Sequence, residues 1–397
     1  MSTTPSPRVI HAISASSGLL PTIRVKFQHS FRLYRSWWRE ISLGAYVRIL
    51  TLLGILIAAF TIPLFPDLND MNELITLGIV NMFQGLNPYG RTYELSALGA
   101  TPSDGYSQDF LNYGPMSLLF HLPCMVYPWM INGVGFLNLQ PSFMIYHAFF
   151  DFLIFDRLMR MNQRFVALFV WLNPLFVVID MVTPMSIPIF LVVMGYEKWK
   201  DPLQSVFWLG LGALTYQYLA LLLLFAMAYH IRSSKGVILG LLPSLAILGA
   251  FQLWAMFEGR PLALVTDLLV QQFGRAYEPW FPNHQYSWYT WTGSIPAIVF
   301  NVLGQDPLLV WTGGLLRLST FMTATSLSLA ILFLVHTILR PDYKRSILYS
   351  SLSLLLVLLS SPVGLWHHNV IVAFPLYMIF VEWESLQLRG LRGRLRS

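Results

Sequence analysis

Three acidic residues follow directly after the first membrane-length apolar run of the chain. Asp67, Asp70 and Glu73 fall within residues 67–73. Carboxylates at the mouth of a membrane are expensive to desolvate, so acids in this position indicate a function. Asp70 and Glu73 are three positions apart and would share one face of a helix. A carboxylate placed there can accept the proton of an attacking hydroxyl group, which is general-base chemistry.

Helix capping is the competing explanation for these acids. Asp67 or Asn69 followed by Glu73 matches the signature of a helix N-terminus. Capping explains Asp67 better than catalysis does, whereas a functional role is favoured for Asp70. The order of candidates for the base is therefore Asp70, then Glu73, then Asp67.

A second polar cluster, His367, His368 and Asn369, lies between two late apolar runs. Histidines at such a position can donate to a phosphate or orient a hydroxyl group, and their charge is adjustable near neutral pH. Arg317, at the outer end of another apolar run, can clamp a lipid phosphate as an always-charged donor. Anchoring of one histidine at the interface and snorkelling of Arg317 to the headgroups are the competing explanations.

The composition is that of an integral membrane protein. Hydrophobic residues make up 55% of the 397 positions and charged residues only 11%, whereas soluble domains carry about 25% charged residues. The formal net charge is +6. The arginines stand in short clusters between apolar runs, which is typical of membrane orientation and argues against a nucleic-acid partner. The single cysteine, Cys124, excludes an intramolecular disulfide.

Ten apolar runs are predicted to span the membrane, each compared with the roughly 20 residues that a bilayer requires. A further run at 115–131 contains three prolines and a histidine. The positive-inside bias is preserved only if 115–131 does not cross, so a re-entrant or surface helix is predicted there, with both termini cytoplasmic. The ten runs lie near 43–64, 140–156, 165–181, 184–197, 203–217, 218–231, 236–257, 314–338, 346–361 and 369–383.

The predicted fold class is an all-α, multi-pass membrane protein, most simply of the plasma membrane. Residues 1–42 are predicted to be a basic cytoplasmic tail ending in an interfacial helix, and residues 384–397 a second basic cytoplasmic tail. Residues 43–383 form a single transmembrane domain. Its outer-side loops, 65–139 and 258–313, are too apolar and aromatic for free loops, so interfacial helices lining a cavity are expected in both.

The helix that follows the first acids is predicted to lie along the interface and to end at Gly85 and the turn-forming pair Asn87–Pro88. Residues 203–231 are predicted to be a close helical pair that turns at Tyr216-Gln217-Tyr218. Both predictions concern the path of the chain and can be compared directly with a structure.

Several motifs together resemble the GT-C superfamily of membrane glycosyltransferases. An outer-loop acid after the first helix is followed by a G-x-x-P-Y turn at 85–89 and by Y-x-P at 113–115. WLNPL at 171–175 is similar to a recurrent helix of that group. SPVGLWHHN at 361–369 resembles the S-P-x-S-W-x-H-H segment of polyprenyl-phosphate-mannose-dependent transferases of the phosphatidylinositol mannoside pathway. Taken in order, these pieces extend over most of the chain, from about residue 43 to about residue 383.

The resemblance implies inverting transfer of a hexose, with mannose expected, from a polyprenyl-phosphate donor to a lipid or glycan acceptor on the outer side. An outer-loop aspartate acts as the base in such families, and this role maps onto Asp70. Arg317, His367 and His368 are expected at the donor phosphate. Membrane lipids are the other expected partners. The substrate-lining residues expected are Tyr89, Arg91, Tyr113, His121, Trp288 and Asn369.

Ordinary explanations compete for three of these lining residues. Arg91 is also a weaker candidate than Arg317 for the phosphate clamp, and solvation of a loop explains it adequately. Trp288 belongs to the aromatic segment 271–291, which an interfacial aromatic belt explains, and His121 fits a satisfied structural histidine. No nucleotide-binding pattern is visible and no cofactor is expected. The acids lack a D-x-D pair, which argues against a metal, although the spacing of Asp67 and Asp70 leaves a divalent metal open.

Two other functions use the same features. A flippase or transporter of lipid-linked sugars would also place a polar cavity at the membrane face, but internal repeats and broken helices in both halves are typical of that class. A membrane acyltransferase could use His367 or His368 as its base, and the acidic loop would then have no role.

Overall fold

The computed structural model describes residues 70–94, 108–111, 113–132, 140–161, 184–270 and 314–360, and these residues are mostly helical. The chain divides into two units, Met1–Leu56 and Ile57–Ser397, and every described residue belongs to the second unit. The described elements, in chain order, are α1 Asp70–Phe83, β1 Thr92–Glu94, β2 Gln108–Phe110, α2 Pro115–Asn132, α3 Gln140–Arg160, α4 Ser186–Glu197, α5 Pro202–Thr215, α6 Ala220–Tyr229, α7 Ser234–Phe257, α8 Ala263–Val265, α9 Gly314–Leu339 and α10 Tyr343–Ser360.

Helix α1 confirms the helix predicted after the acidic residues. It ends where Gly85 takes a φ of +75°, a conformation that glycine adopts without a steric penalty. The Gly85 N–H donates to the Met82 carbonyl at 3.1 Å, and the Leu86 N–H donates to the Asn81 carbonyl at 2.9 Å. This pair of bonds is the Schellman motif, which satisfies the last carbonyls of the helix and turns the chain away from its axis.

The turn predicted at Tyr216-Gln217-Tyr218 is also confirmed. Helix α5 ends at Thr215, Tyr216 is extended, and a single 3₁₀ turn at Gln217–Leu219 leads into α6. Asp201 caps the start of α5 by accepting from the backbone N–H groups of Leu203 and Gln204. The N-cap satisfies donors that otherwise have no partner at a helix start.

Helix α2 forms over residues 115–132 in spite of its prolines, and its start packs against the end of α5. The Ser117 hydroxyl donates to the Thr215 carbonyl at 2.9 Å. A side chain at Gly114 would place its Cβ only 1.9 Å from the Leu214 carbonyl oxygen, so only glycine permits this approach. A buried apolar cluster then joins helices α2 to α5, and its members are Met116, Phe150, Ile187, Leu191 and Leu211.

Helix α10 is fixed to α4 by serines that face two buried aromatic rings. The Trp199 indole N–H donates to the Ser346 hydroxyl at 2.9 Å, and the Tyr196 hydroxyl lies 2.8 Å from that of Ser351. Small hydroxylated side chains let helices approach closely while pairing every polar group, which is a common arrangement between helices in lipid.

Two of the described helices, Ser234–Phe257 and the Phe321–Leu339 part of α9, are long and apolar enough to cross a membrane. Only 22% and 17% of their most apolar windows are buried, whereas the core helix of a soluble protein would be mostly buried. Their exposed side chains suit contact with lipid. The large exposed apolar residues are Ile238, Leu239, Leu242, Leu245, Leu253, Met256, Phe257, Phe321, Leu327, Leu329, Ile331, Leu332, Val335 and Leu339.

The number of spans predicted from the sequence stays a prediction. Helices occur at seven of the ten predicted runs, but α4, α5 and α6 contain 12, 14 and 10 residues. At 1.5 Å per residue, each is shorter than the roughly 30 Å hydrocarbon layer. The predicted spans at 43–64, 165–181 and 369–383 lie outside the described residues, as do both predicted cytoplasmic tails.

A nitroxide at position 245 should report a lipid environment. Leu245 is 55% exposed in the middle of α7. The experiment uses a labelled Leu245→Cys variant in a Cys124→Ser background, reconstituted in vesicles. Its nitroxide should collide more often with dissolved oxygen than with a water-soluble nickel chelate. The control is a label at Lys235, at the charged start of α7, where the preference should reverse. Equal or greater access of the nickel chelate to position 245 would contradict a membrane-spanning α7.

Candidate functional site

The candidate site begins with the 87–93 loop, the tight turn between α1 and β1. Asn87 accepts a bond from the Tyr89 N–H through its side-chain Oδ1 at 2.8 Å, which is an Asx turn. Gly90 has a φ of +74°, and a Cβ there would lie 2.7 Å from the Cβ of Ala263. Glycine is therefore required at position 90 both by the backbone conformation and by the approach of α8.

Three charged residues that follow α7 form hydrogen bonds to this loop. They are Glu258, Arg260 and Asp267, and we call them the clasp. Glu258 accepts from the Asn87 N–H at 2.5 Å and from the Arg91 guanidinium at 2.8 Å. Arg260 donates to the Gly90 carbonyl at 2.9 Å, and Asp267 accepts from the Gly90 N–H at 2.6 Å. Both polar groups of the Gly90 peptide are thus held by side chains about 170 residues away.

The clasp joins described parts of the two segments, 65–139 and 258–313, that the sequence analysis predicted to be outer-side loops. Loop 65–139 supplies the 87–93 loop, and loop 258–313 supplies all three clasp residues. The Asn87 side chain extends the junction by donating to the Phe251 carbonyl at 3.0 Å. The described parts of these two segments are therefore in direct contact.

Tyrosines connect the motif pieces on which the family resemblance rests. Tyr89 is fully buried, and its hydroxyl donates to the Tyr113 carbonyl at 2.8 Å. Tyr93 donates to the Pro88 carbonyl and accepts from the Asn81 side-chain amide at 3.1 Å. Burial raises the pKa of Tyr93 to about 12, so its phenol stays protonated and remains a donor.

An open cleft of about 790 Å³ lies beside the 87–93 loop, within the size range of small-ligand sites. Helix α1 forms one wall and the loop and clasp form the other. Glu73 precedes Leu77 by one helical turn and Asn81 by two, so the three positions share the face of α1 that reaches the cleft. The lining residues are Leu77, Asn81, Gly90, Arg91, Thr92, Tyr93 and Arg260.

The two carboxylates of the clasp differ in their protonation. Burial raises the pKa of Asp267 from 3.8 to about 6, although the Gly90 N–H and the charge of Arg260 oppose the shift. Partial desolvation acts to raise the pKa of Glu258. The hydrogen bonds from the Asn87 N–H and from Arg91 outweigh that effect, so the pKa of Glu258 lies below 4.5. Glu258 therefore stays anionic at neutral pH, whereas Asp267 titrates just below it.

Asp267 carries one further sign of an unusual environment. Its side chain is only 1% exposed, and its Oδ1 atom has no hydrogen-bond partner among the described residues. A buried carboxylate oxygen without a partner costs free energy. Protonation of Asp267 removes part of that cost, which agrees with the raised pKa.

The structure places some of the sequence-predicted site residues in this region. Arg91 lines the cleft and Tyr89 lies directly beneath it, with Tyr113 held by the Tyr89 hydroxyl. Glu73 is 9% exposed in the first turn of α1. Arg91, Tyr89 and Tyr113 are thus linked through the 87–93 loop, and Glu73 lies on the same helix as the lining residues Leu77 and Asn81.

The remaining predicted residues fall elsewhere or cannot be compared. His121 packs on α2, with its Nε2 atom 2.9 Å from that of His147 on α3 and its ring stacked on Phe143. It is not a lining residue of the cleft, so the structural explanation fits it better. Asp70 is the first residue of α1 and Arg317 lies in the first turn of α9. Outside the described residues lie Asp67, Trp288, His367, His368 and Asn369.

The sequence analysis did not single out any clasp residue. Glu258 and Arg260 follow immediately after the apolar run that became α7, just as Asp67 and Asp70 follow the first run, and that parallel was a usable signal. Asp267 stands alone in the apolar segment PLALVTDLLV, where an ionisable residue indicates a function by the same argument that selected Asp70.

No protein-family model, no curated protein and no solved structure matches this chain. The motifs quoted above are therefore the support for the family resemblance. Among the described residues, no group of three His, Cys, Asp or Glu side chains is placed to hold a metal ion.

Removing the charge of Asp267 should alter how stability depends on pH. Because the folded pKa of about 6 exceeds the unfolded value of 3.8, the carboxyl binds its proton more tightly in the folded state. The protonated carboxyl therefore adds to the free energy of unfolding of the wild type at low pH. About 3 kcal/mol of that stabilisation should be lost as the pH rises from about 4 to about 7. Asp267→Asn keeps an acceptor for the Gly90 N–H and should lack that loss.

The measurement is thermal unfolding of the purified full-length protein across this pH range. Asp342→Asn, a neutralising change at an exposed helix start, is the matched control and should follow wild type. The same pH dependence in wild type and Asp267→Asn would contradict the raised pKa.

Proposed function

We propose that this chain is a multi-pass membrane glycosyltransferase of the GT-C type. It moves a hexose, with mannose the first candidate, from a polyprenyl-phosphate donor to a lipid or glycan acceptor on the outer side of the plasma membrane. Both termini are cytoplasmic in this proposal, and no cofactor is required. The two exposed apolar helices, α7 and α9, support a membrane location.

One observation carries the proposal. The Tyr89 hydroxyl donates to the Tyr113 carbonyl at 2.8 Å, so the G-x-x-P-Y turn and the Y-x-P segment, which are distant in the sequence pattern, meet beside one polar cleft. Helix α1, which begins at Asp70, forms a wall of that cleft. The candidate base and the lining residues thus belong to the same structural unit.

The proposed reaction is a single inverting displacement. The acceptor hydroxyl oxygen attacks C1 of the sugar while its proton passes to the carboxylate of Asp70, with Glu73 as the second candidate for this role. The bond between C1 and the phosphate oxygen breaks, and its electron pair leaves with the polyprenyl phosphate. Arg317 and one of His367 or His368 stabilise the developing charge on that phosphate, because fixed positive donors lower the barrier to such departure.

The geometry of α1 limits where the sugar can sit. Glu73 precedes Leu77 by four residues and Asn81 by eight, which is about 6 Å and about 12 Å along a helix axis. A hexose bound between the first turn of α1 and the cleft would contact the acids at one end and Arg91 at the other. Arg91 is then a substrate-lining residue, as the sequence analysis expected.

Replacing the base should abolish turnover without abolishing folding. Purified protein with labelled polyprenyl-phosphate mannose and candidate acceptors should release polyprenyl phosphate, and Asp70→Asn should lower the rate by about 10²- to 10⁴-fold. Glu73→Gln tests the second candidate in the same assay. Asp342→Asn neutralises an exposed carboxylate at another helix start and should retain the wild-type rate.

Three outcomes would overturn parts of the proposal. Equal release of polyprenyl phosphate by wild type and Asp70→Asn would remove Asp70 as the base. Movement of the intact lipid-linked sugar between leaflets with no product would favour a transporter. Transfer of an acyl group that depends on His367 or His368 and not on Asp70 or Glu73 would favour an acyltransferase.

A further inference from the structure

We propose that the cleft between α1 and the clasp binds the phosphate of an anionic lipid headgroup, with Arg91 and Arg260 as the phosphate ligands. This site is separate from Arg317, His367 and His368, which the proposed function assigns to the donor phosphate. Arg91 also belongs to the substrate-lining set of the proposed function, so a headgroup bound here would lie next to the transferred sugar; the binding itself can be tested without glycosyl transfer.

The first argument is the number of hydrogen-bond donors that the two guanidinium groups leave unused. Each guanidinium carries five N–H donors and stays charged at all relevant pH values. Within the described residues, Arg260 uses one donor, for the Gly90 carbonyl. Arg91 uses two, for the Asn87 carbonyl and Glu258. Both side chains line the cleft, so their remaining donors can face a phosphate, which guanidinium groups bind through two parallel bonds.

The second argument is the balance of charge. Glu258 pairs with Arg91 at 2.8 Å and fixes its orientation. Asp267 is 1% exposed and accepts from the Gly90 N–H. Neither carboxylate is among the lining residues of the cleft. The charged groups that line the cleft are therefore the two guanidinium groups, and Tyr93 contributes a neutral ring to its wall.

The third argument identifies the source of the phosphate. Phe257 is 88% exposed and Leu262 is 68% exposed, and these residues flank Arg260 by three and two positions. Phe83, at the end of α1, is 70% exposed. Large exposed apolar side chains close in the chain to a charged lining residue suit a molecule with a phosphate and hydrocarbon chains, which is the arrangement at a membrane interface.

The test is binding of soluble ligands to the purified full-length protein by isothermal titration calorimetry. Dihexanoyl phosphatidic acid carries both the phosphate and short chains, dihexanoylglycerol carries only the chains, and inorganic phosphate carries only the anion. The proposal expects the phosphatidic acid to bind at least about tenfold more tightly than either partial ligand. Equally tight binding of dihexanoylglycerol would overturn the phosphate role, and equally tight binding of inorganic phosphate would overturn the lipid assignment.

Two substitutions locate the site in the cleft. Arg260→Gln should weaken binding of dihexanoyl phosphatidic acid by about tenfold, because it removes a charged donor. The matched control Arg345→Gln removes the same charge from an exposed position at the start of α10 and should bind as wild type does. Unchanged binding by Arg260→Gln would overturn the proposal.

A second pair of variants keeps the test decisive if Arg260→Gln unfolds. Thr92 is an exposed lining residue, and Thr92→Asp introduces a negative charge beside both arginines. Its uncharged isostere, Thr92→Asn, has almost the same shape. Weaker binding by Thr92→Asp than by Thr92→Asn is expected, and equal binding by the two would place the phosphate elsewhere.

Discussion

The hydrogen bonds of the Glu258 carboxylate are the contacts on which the arrangement of the candidate site depends. The carboxylate accepts a hydrogen bond from the Asn87 N–H at the start of the turn and another from the Arg91 guanidinium at its end. A backbone group buried without a partner is costly, and the Asn87 N–H and both polar groups of Gly90 bond to residues outside the 87–93 loop. Arg260 donates to the Gly90 carbonyl, and Asp267 accepts from the Gly90 N–H.

Helices α1 and α7 bring the partners of these hydrogen bonds together. The Schellman motif at Gly85 turns the chain from α1 into the loop, and α7 ends at Phe257, directly before Glu258. Helix α7 is in turn fixed by its close packing on α5, where a Cβ at Gly240 would lie 2.6 Å from the Leu203 carbonyl oxygen. Most of the remaining surface of α7 is apolar and exposed, which suits lipid. A helix held by close backbone contacts on one side can thus position a charged site at its end.

Local features of the fold were predictable from the sequence, and long-range features were not. The end of α1 at Gly85, the turn at Tyr216 and the helices at most apolar runs follow from glycine, proline and periodicity, which act within a few residues. The clasp pairs residues about 170 positions apart, and no local pattern in one sequence records such a pairing. The sequence already indicated that the runs at 184–197, 203–217 and 218–231 are shorter than the roughly 20 residues that a bilayer requires, and α4, α5 and α6 are shorter still. For the site, Tyr89 was found through the motif and Arg91 as a charged residue of the same loop, whereas Arg260 and Asp267 belong to no motif.

The central claim is that loop 65–139 and loop 258–313 form one site through the clasp, and the pair Arg91–Glu258 allows the most direct test. Glutamine at position 258 can still accept from the Asn87 N–H, so a double-mutant cycle of Arg91→Gln and Glu258→Gln isolates the ion pair. The free energy of unfolding should show a coupling of about 1 kcal/mol between the two substitutions, as expected for a partly exposed charged pair in contact. Strictly additive effects, within about 0.3 kcal/mol, would contradict the contact and with it the claim that these two segments form one site.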